Sequence, residues 1–93
     1  MNAHAIDGLH PTVALPYLAE SHGRMDAACS MNESAKLMTV VCHIDADIGW
    51  RKFERMHRDT LANYTMVQEG RIEAIYMAAF WGYVVMKSTG VAA

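Results

Sequence analysis

The C-terminal third of the chain has the most distinctive hydrophobic pattern. The segment 72–86, IEAIYMAAFWGYVVM, is apolar around the whole circumference of a helix, and residues 74–86 include no charged side chain. Helices that are apolar on every side are normally buried inside larger cores. A chain of 93 residues has little other material with which to cover such a helix. We therefore expect a second copy of the chain, or another protein, to cover part of it.

Capping signals define both ends of this last helix. Thr65 and Gln68 match a capping box, in which the threonine side chain and the residue three positions later satisfy first-turn amide groups. Glu69 lies in the first turn, where a negative charge is favourable, and Lys87 lies in the last turn, where a positive charge is favourable. The sequence therefore predicts a helix over residues 66–88.

Two further helices are predicted upstream of this segment. Ser30 and Glu33 match the S-x-x-E capping box, and apolar residues then recur at helical spacing. The signals near Gly49 conflict, because polar and glycine residues favour a break while an apolar stripe continues across the same point. We predict helices over residues 31–46 and 48–62, with one continuous helix as the alternative.

Residues 1–30 show little periodic apolar pattern and contain both prolines. Pro16 suits the first turn of a short helix that ends near Gly23. The sequence thus predicts an irregular N-terminal arm over residues 1–30, followed by a single helical domain over residues 31–93. The predicted fold class is all-α: a small helical hairpin or three-helix arrangement, packed as a homodimer or higher oligomer.

Small residues form a stripe along the predicted last helix. Ala74, Ala78 and Gly82 are spaced by four, so a neighbouring helix backbone can approach this side closely. The alternative is that other parts of the same chain cover every side of the helix. The residues that we expect at an intermolecular interface are Ile75, Tyr76, Ala78, Ala79, Trp81, Gly82, Tyr83 and Met86.

Composition and charge narrow the class of protein. The chain is 53% hydrophobic and 19% charged, with a net charge of −2, which is typical of one globular domain. The acidic balance argues against nucleic acid as a partner. The uncharged run 74–86 is shorter than the roughly 20 residues that a helix needs to span a bilayer, so no membrane partner is predicted.

The first residues lack a secretory pattern and there are only two cysteines, which favours the cytoplasm.

Half of the eight basic residues fall within two helical turns. Guanidinium groups on one helix face suit a phosphate group or an acidic partner, and a nearby Trp50 or Tyr64 could stack on a nucleotide base. The residues of this possible anion-binding or acidic-partner site are Arg51, Lys52, Arg55 and Arg58.

The same segment also has a simpler interpretation. Glu54 with Arg58, and Arg55 with Asp59, are four residues apart and could form ion pairs along the helix. The segment would then be a solvated helix face whose charges neutralise each other.

Catalytic and metal-binding patterns are weak in this sequence. It contains none of the phosphate-binding, dinucleotide-binding, zinc-protease or nucleophile motifs. His43 and Asp47 lie one helical turn apart, but two ligands do not complete a tetrahedral metal site. We therefore predict no enzymatic activity, no catalytic residue, no metal and no cofactor.

The predicted function is that of a non-catalytic small helical protein that binds a larger protein and blocks or modulates it. Bacterial and phage-encoded inhibitors and regulators have this general size and composition. The alternative is an oligomeric binder of a small phosphorylated or nucleotide ligand, held by the arginine-rich helix face.

Overall fold

The computed structural model describes residues 10–33 and 38–89. Its helices are α1 (Pro11–Glu33), α2 (Met38–Met56), α3 (Arg58–Leu61) and α4 (Met66–Thr89). These ranges contain no strand, so the predicted all-α class is confirmed for the described residues. None of these helices combines the length and the apolar character needed to cross a membrane.

Helix α1 corrects the predicted N-terminal arm. From residue 11 onward the chain forms one continuous helix, with Pro16 inside it rather than at the start of a shorter one. Pro11 occupies the first helical position, where the missing amide proton has no cost. One face of α1 carries Leu15 and three alanines that are buried. Tertiary packing of these small residues therefore stabilises a helix that has little hydrophobic periodicity of its own.

The capping box predicted at Ser30 is also wrong. Ser30 lies inside α1 near its C-terminal end and is buried, and its hydroxyl donates a hydrogen bond to Cys42 Sγ of α2 at 3.4 Å. The serine side chain thus joins two helices instead of capping one. The next helix begins at Met38, and residues 34–37 lie outside the described part of the chain.

Helix α2 runs through Gly49 without interruption, so the continuous alternative is correct over the range 38–56. Cys42, Ala46 and Phe53 are buried along one side of α2, and this apolar stripe decides the outcome over the polar residues around Gly49. The chain breaks instead at His57, between α2 and the single turn of α3. The predicted helix over residues 48–62 is therefore divided between the end of α2 and α3.

Helix α4 begins where the sequence predicts and ends one residue later, at Thr89. The Thr65 amide donates to Gln68 Oε1 at 2.8 Å, and the Gln68 amide donates to Thr65 Oγ1 at 3.2 Å. Both halves of the predicted capping box are thus present.

Helix α1 packs against both α2 and α4, and its contact with α4 is the most extensive one in the fold. The largest fully buried side chains are Leu15, Cys42, Phe53, Tyr76 and Phe80, which come from all three long helices. A single core therefore joins α1, α2 and α4.

Two glycines allow the helices to approach Tyr76 of α4. A Cβ atom on Gly23 of α1 would collide with the backbone carbonyl oxygen of Tyr76 and would lie 3.2 Å from Ala79 Cβ. A Cβ atom on Gly49 of α2 would collide with the Tyr76 hydroxyl. That hydroxyl donates to Asp26 Oδ2 at 2.6 Å. Burial raises the pKa of Tyr76, and the bond to Asp26 raises it further, so the hydroxyl keeps its proton.

Candidate functional site

A groove between α1 and α4 is the first candidate site. It encloses about 570 Å³ and is bounded on the α1 side by Glu20 and Arg24. Ala78 is exposed at its surface, and apart from the local α4 backbone and the two chain neighbours no described atom lies within 4 Å of the position that a Cβ on Gly82 would take. The α4 backbone is therefore open to a neighbouring helix along this groove. The α4 residues that line it are Ile75, Ala78, Ala79, Gly82, Tyr83 and Met86.

The groove extends toward the start of α4. A second cavity of about 530 Å³ is bounded by Pro16 of α1 and includes Gln68 and Arg71 of α4. Ile75 lines both cavities, so the two adjoin along α4. From Gln68 to Met86 the groove follows α4 for roughly 27 Å, or about five helical turns. We call these two cavities together the α1–α4 groove.

Six of the eight residues predicted at an interface line this groove, and Tyr76 and Trp81 do not. Tyr76 is fully buried in the chain's own core. Trp81 is half-buried, with its ring 4.6 Å from the ring of His43 on α2. Helices α1 and α2 thus cover part of α4 within one chain, while Val85 remains 56% exposed.

Glu20 and Arg24 are groove residues that were not predicted from the sequence. Glu20 Oε1 and Arg24 Nη2 form an ion pair at 2.7 Å, with both side chains more than half exposed. Their spacing of four is the usual one for a helical ion pair. That signal was present in the sequence, but it fell in the segment predicted to be irregular.

A separate cavity of about 620 Å³ gathers three of the predicted cationic residues, Arg51, Arg55 and Arg58. Lys52 is not among them, because it lines another cavity beside Asp26. We call the first of these the arginine cavity. The other residues that line it are Glu54, Leu61, Ala62 and Glu69.

The aromatic residues that the nucleotide hypothesis required do not reach the arginine cavity. Trp50 is buried in the core, with its ring 5.6 Å from that of Phe53. Tyr64 lines the far end of the α1–α4 groove. Stacking of a base beside the arginines is therefore not available from either side chain.

Ion pairing around the arginine cavity differs from the simpler interpretation of the sequence. Arg51 Nε pairs with Asp47 Oδ2 at 3.2 Å. Among the residues that the structure describes, neither Arg55 nor Arg58 makes an ion pair, so the predicted pairs with Asp59 and Glu54 are not formed.

The two glutamates of the arginine cavity interact with each other. A hydrogen bond to the Glu69 carboxyl raises the pKa of Glu54, burial raises it further, and so do the negative charges of Glu69 and Glu73. Arg51 acts in the opposite direction. Glu54 therefore takes up a proton at a higher pH than an isolated glutamate does.

Two histidines flank Phe53 where α1 meets the break between α2 and α3. The ring of Phe53 lies 5.4 Å from that of His22 and 4.4 Å from that of His57. Within the described ranges, His57 Nε2 is buried without a hydrogen-bond partner. Burial lowers the pKa of His57, and neighbouring His22 lowers it further.

Acid is expected to weaken the fold through His57. Once unfolded, His57 regains its ordinary pKa of 6.5 and binds protons that the folded chain excludes. The contribution of His57 to the free energy of unfolding is therefore complete above pH 6.5, and it is lost as the pH falls through the lowered pKa of the folded state. Urea denaturation at pH 7.5 and pH 5.5 should show a smaller loss of stability in His57→Gln than in the wild type. An equal loss in both proteins would contradict this assignment. The raised pKa of Glu54 gives the opposite dependence of stability on pH, but this effect is the same in the wild type and in His57→Gln.

The described part of the chain contains no group of three or more His, Cys, Asp or Glu side chains arranged to hold a metal ion. His43 packs against Trp81, and Asp47 pairs with Arg51. The two residues therefore have other contacts in the fold.

No protein-family model matches the chain, and no curated protein or solved structure shows significant similarity to it. Its function must therefore be inferred from the α1–α4 groove, the arginine cavity and the residues around them.

Proposed function

We propose that the chain binds another protein in the α1–α4 groove and blocks or modulates it, without catalysing a reaction. The observation that carries the proposal is the open backbone of α4 at Ala78 and Gly82, within the α1–α4 groove, which follows α4 for about five helical turns. A groove of this length suits an amphipathic helix.

The residues beside the small stripe suit such a partner. Ile75, Tyr83 and Met86 offer apolar side chains to a docked helix. Methionine adapts readily to irregular surfaces, and tyrosine combines an apolar ring with a polar hydroxyl. Glu20 and Arg24 supply a charged rim on the α1 side. The partner helix is thus expected to be apolar on the side that meets α4 and polar where it meets α1.

Self-association is the other use of this groove that the sequence predicts. A second copy could place its own small stripe against the first, since Ala78 and Gly82 permit close approach of two helices. The experiment below distinguishes a second copy from a different protein.

Gly82→Arg is expected to abolish partner binding without unfolding the chain. The Cβ of the new side chain has free space and the rest of it would project into the groove, while replacing a helical glycine by arginine favours the helix by about 0.5–1 kcal/mol. Gly70→Arg is the matched control, because Gly70 also has free space around it but does not line the groove. The wild-type and Gly70→Arg chains, immobilised and exposed to a bacterial lysate, should retain the same partner protein. The Gly82→Arg chain should not retain it.

Light scattering on the three purified proteins completes the test. A wild-type dimer that becomes a monomer only in Gly82→Arg would show that the groove holds a second copy instead of a different protein. Retention of the partner by Gly82→Arg at wild-type affinity would refute binding in the groove.

A further inference from the structure

We propose that the arginine cavity binds a small phosphate-class oxyanion through Arg55 and Arg58, and that binding is coupled to proton uptake by the Glu54–Glu69 pair. The cavity shares no lining residue with the α1–α4 groove. This site is therefore additional to the proposed protein-binding function and can be tested independently of it.

The cations needed for the site are available. Arg55 and Arg58 are exposed, both line the cavity, and make no ion pair in the described ranges. The guanidinium group offers several donors in a planar fork that matches an oxyanion. Arg51 adds a third positive charge, although Asp47 partly neutralises it. A small dianion could thus accept hydrogen bonds from both unpaired guanidinium groups.

Two glutamates share the cavity with these cations. Glu54 and Glu69 both line it, and in the described ranges neither forms an ion pair with Arg55 or Arg58. The groups that face Glu54 are Glu69 and Glu73 from α4 and Arg51 from α2, and the two α4 carboxylates outweigh the arginine in their effect on its pKa. Uptake of a proton by Glu54 would therefore reduce the negative charge that an incoming anion meets.

A bound anion would in turn favour the protonated form of this pair. An additional negative charge close to Glu54 makes loss of its proton more costly. By linkage, the affinity for an oxyanion must then rise as the pH falls. Simple attraction to exposed arginines does not produce this effect, because arginine keeps its charge over the accessible pH range.

The lining of the cavity also limits the kind of ligand. Its uncharged side chains are Leu61 and Ala62, and neither offers a ring on which a base could stack. Trp50 and Tyr64 lie elsewhere. The site therefore suits free phosphate, or the phosphate group of a small ester, and the nucleotide form of the earlier hypothesis is not supported.

Sulfate is the most informative probe, because it stays dianionic between pH 5.5 and 8 while phosphate changes its own charge. Backbone amide shifts of the full chain should be followed during titration with sodium sulfate, with sodium chloride holding the ionic strength constant. We expect a saturable response at residues 54–62 and at Glu69, with an affinity that rises severalfold from pH 8 to pH 5.5. Absence of a saturable response would overturn the proposal.

Three variants test the assigned roles. Arg55→Gln combined with Arg58→Gln should weaken sulfate binding by at least about tenfold. Arg71→Gln is the matched control, since Arg71 is an exposed cation of the α1–α4 groove, and it should bind sulfate normally. Glu54→Gln imitates the uncharged carboxyl group, so it should bind more tightly than the wild type at pH 8 and lose the pH dependence.

The opposite results would contradict the site. An equal loss of affinity in Arg71→Gln would indicate unspecific attraction, and a wild-type pH dependence in Glu54→Gln would exclude the proposed proton coupling. Circular dichroism should show that every variant is folded. Inorganic phosphate and glycerol 3-phosphate should each compete with sulfate, and the tighter competitor distinguishes free from esterified phosphate. Failure of both to compete would exclude a phosphate-class ligand.

Discussion

Gly23→Ala is expected to lower the free energy of unfolding by about 3 kcal/mol, the upper part of the range for adding a methyl group to a closely packed interior. The new Cβ would meet the backbone carbonyl oxygen of Tyr76 and the Cβ of Ala79. A backbone atom cannot turn away as a flexible side chain can, so α1 and α4 must separate along their main contact. For a domain of this size, the expected fall in the melting temperature is about 12–24 °C.

Gly82→Ala is the control for this prediction, since it makes the same chemical change where nothing lies within 4 Å among the described atoms. Alanine is the better helix former, so Gly82→Ala should raise stability by about 0.5–1 kcal/mol. Thermal and urea denaturation of both variants measure the difference. If Gly23→Ala is as stable as the wild type, α1 and α4 do not approach each other at residue 23 as closely as described above.

Gly49→Ala is expected to cost about 2 kcal/mol in the wild type and much less in a Tyr76→Phe background. The added methyl group would collide with the Tyr76 hydroxyl and would lie 2.7 Å from Asp26 Oδ2. Removal of the hydroxyl creates space beside residue 49. It also breaks the 2.6 Å hydrogen bond to Asp26, so Tyr76→Phe alone should cost about 1.5–3 kcal/mol, as for other bonds to a charged group.

The double-mutant cycle gives the quantity to be measured. If the methyl group and the hydroxyl compete for the same space, the double variant should be more stable than the sum of the single effects by about 1 kcal/mol or more. Gly70→Ala in the same two backgrounds is the control and should give no coupling, because Gly70 has open space around it. Additive effects within about 0.5 kcal/mol for Gly49→Ala would contradict the arrangement.

The last helix could be predicted from the sequence together with its cap, because its signals are local. The Thr65 and Gln68 side chains bond to each other's amide groups within one turn. Helix α1 could not be predicted in the same way. Its buried face consists largely of alanine and glycine, which give almost no periodic hydrophobic signal, and Pro16 suggests a break. The helix depends on contacts with α2 and α4, which the pattern of its own segment does not reveal.

For the candidate sites as well, features that depend on residue spacing could be predicted from the sequence, whereas features that depend on packing between segments could not. The small stripe at Ala78 and Gly82 follows directly from residue spacing, and it does line a groove. Which side of an apolar helix faces its own chain does not follow from spacing, so Tyr76 was expected at an interface although it lies in the core. Three of the four basic residues do line one cavity, but the effect of Glu69 on Glu54 acts between two helices and had no local signal.

The two cysteines differ in solvent exposure, and this difference can be used to measure how often α1 and α2 separate. Cys29 is exposed on α1, whereas Cys42 is fully buried on α2 and accepts the Ser30 hydrogen bond. A maleimide dye should therefore label Cys29 rapidly, and should reach Cys42 only after α2 moves away from α1. The ratio of the two labelling rates would then report how often this pair of helices separates under native conditions, without any engineered probe.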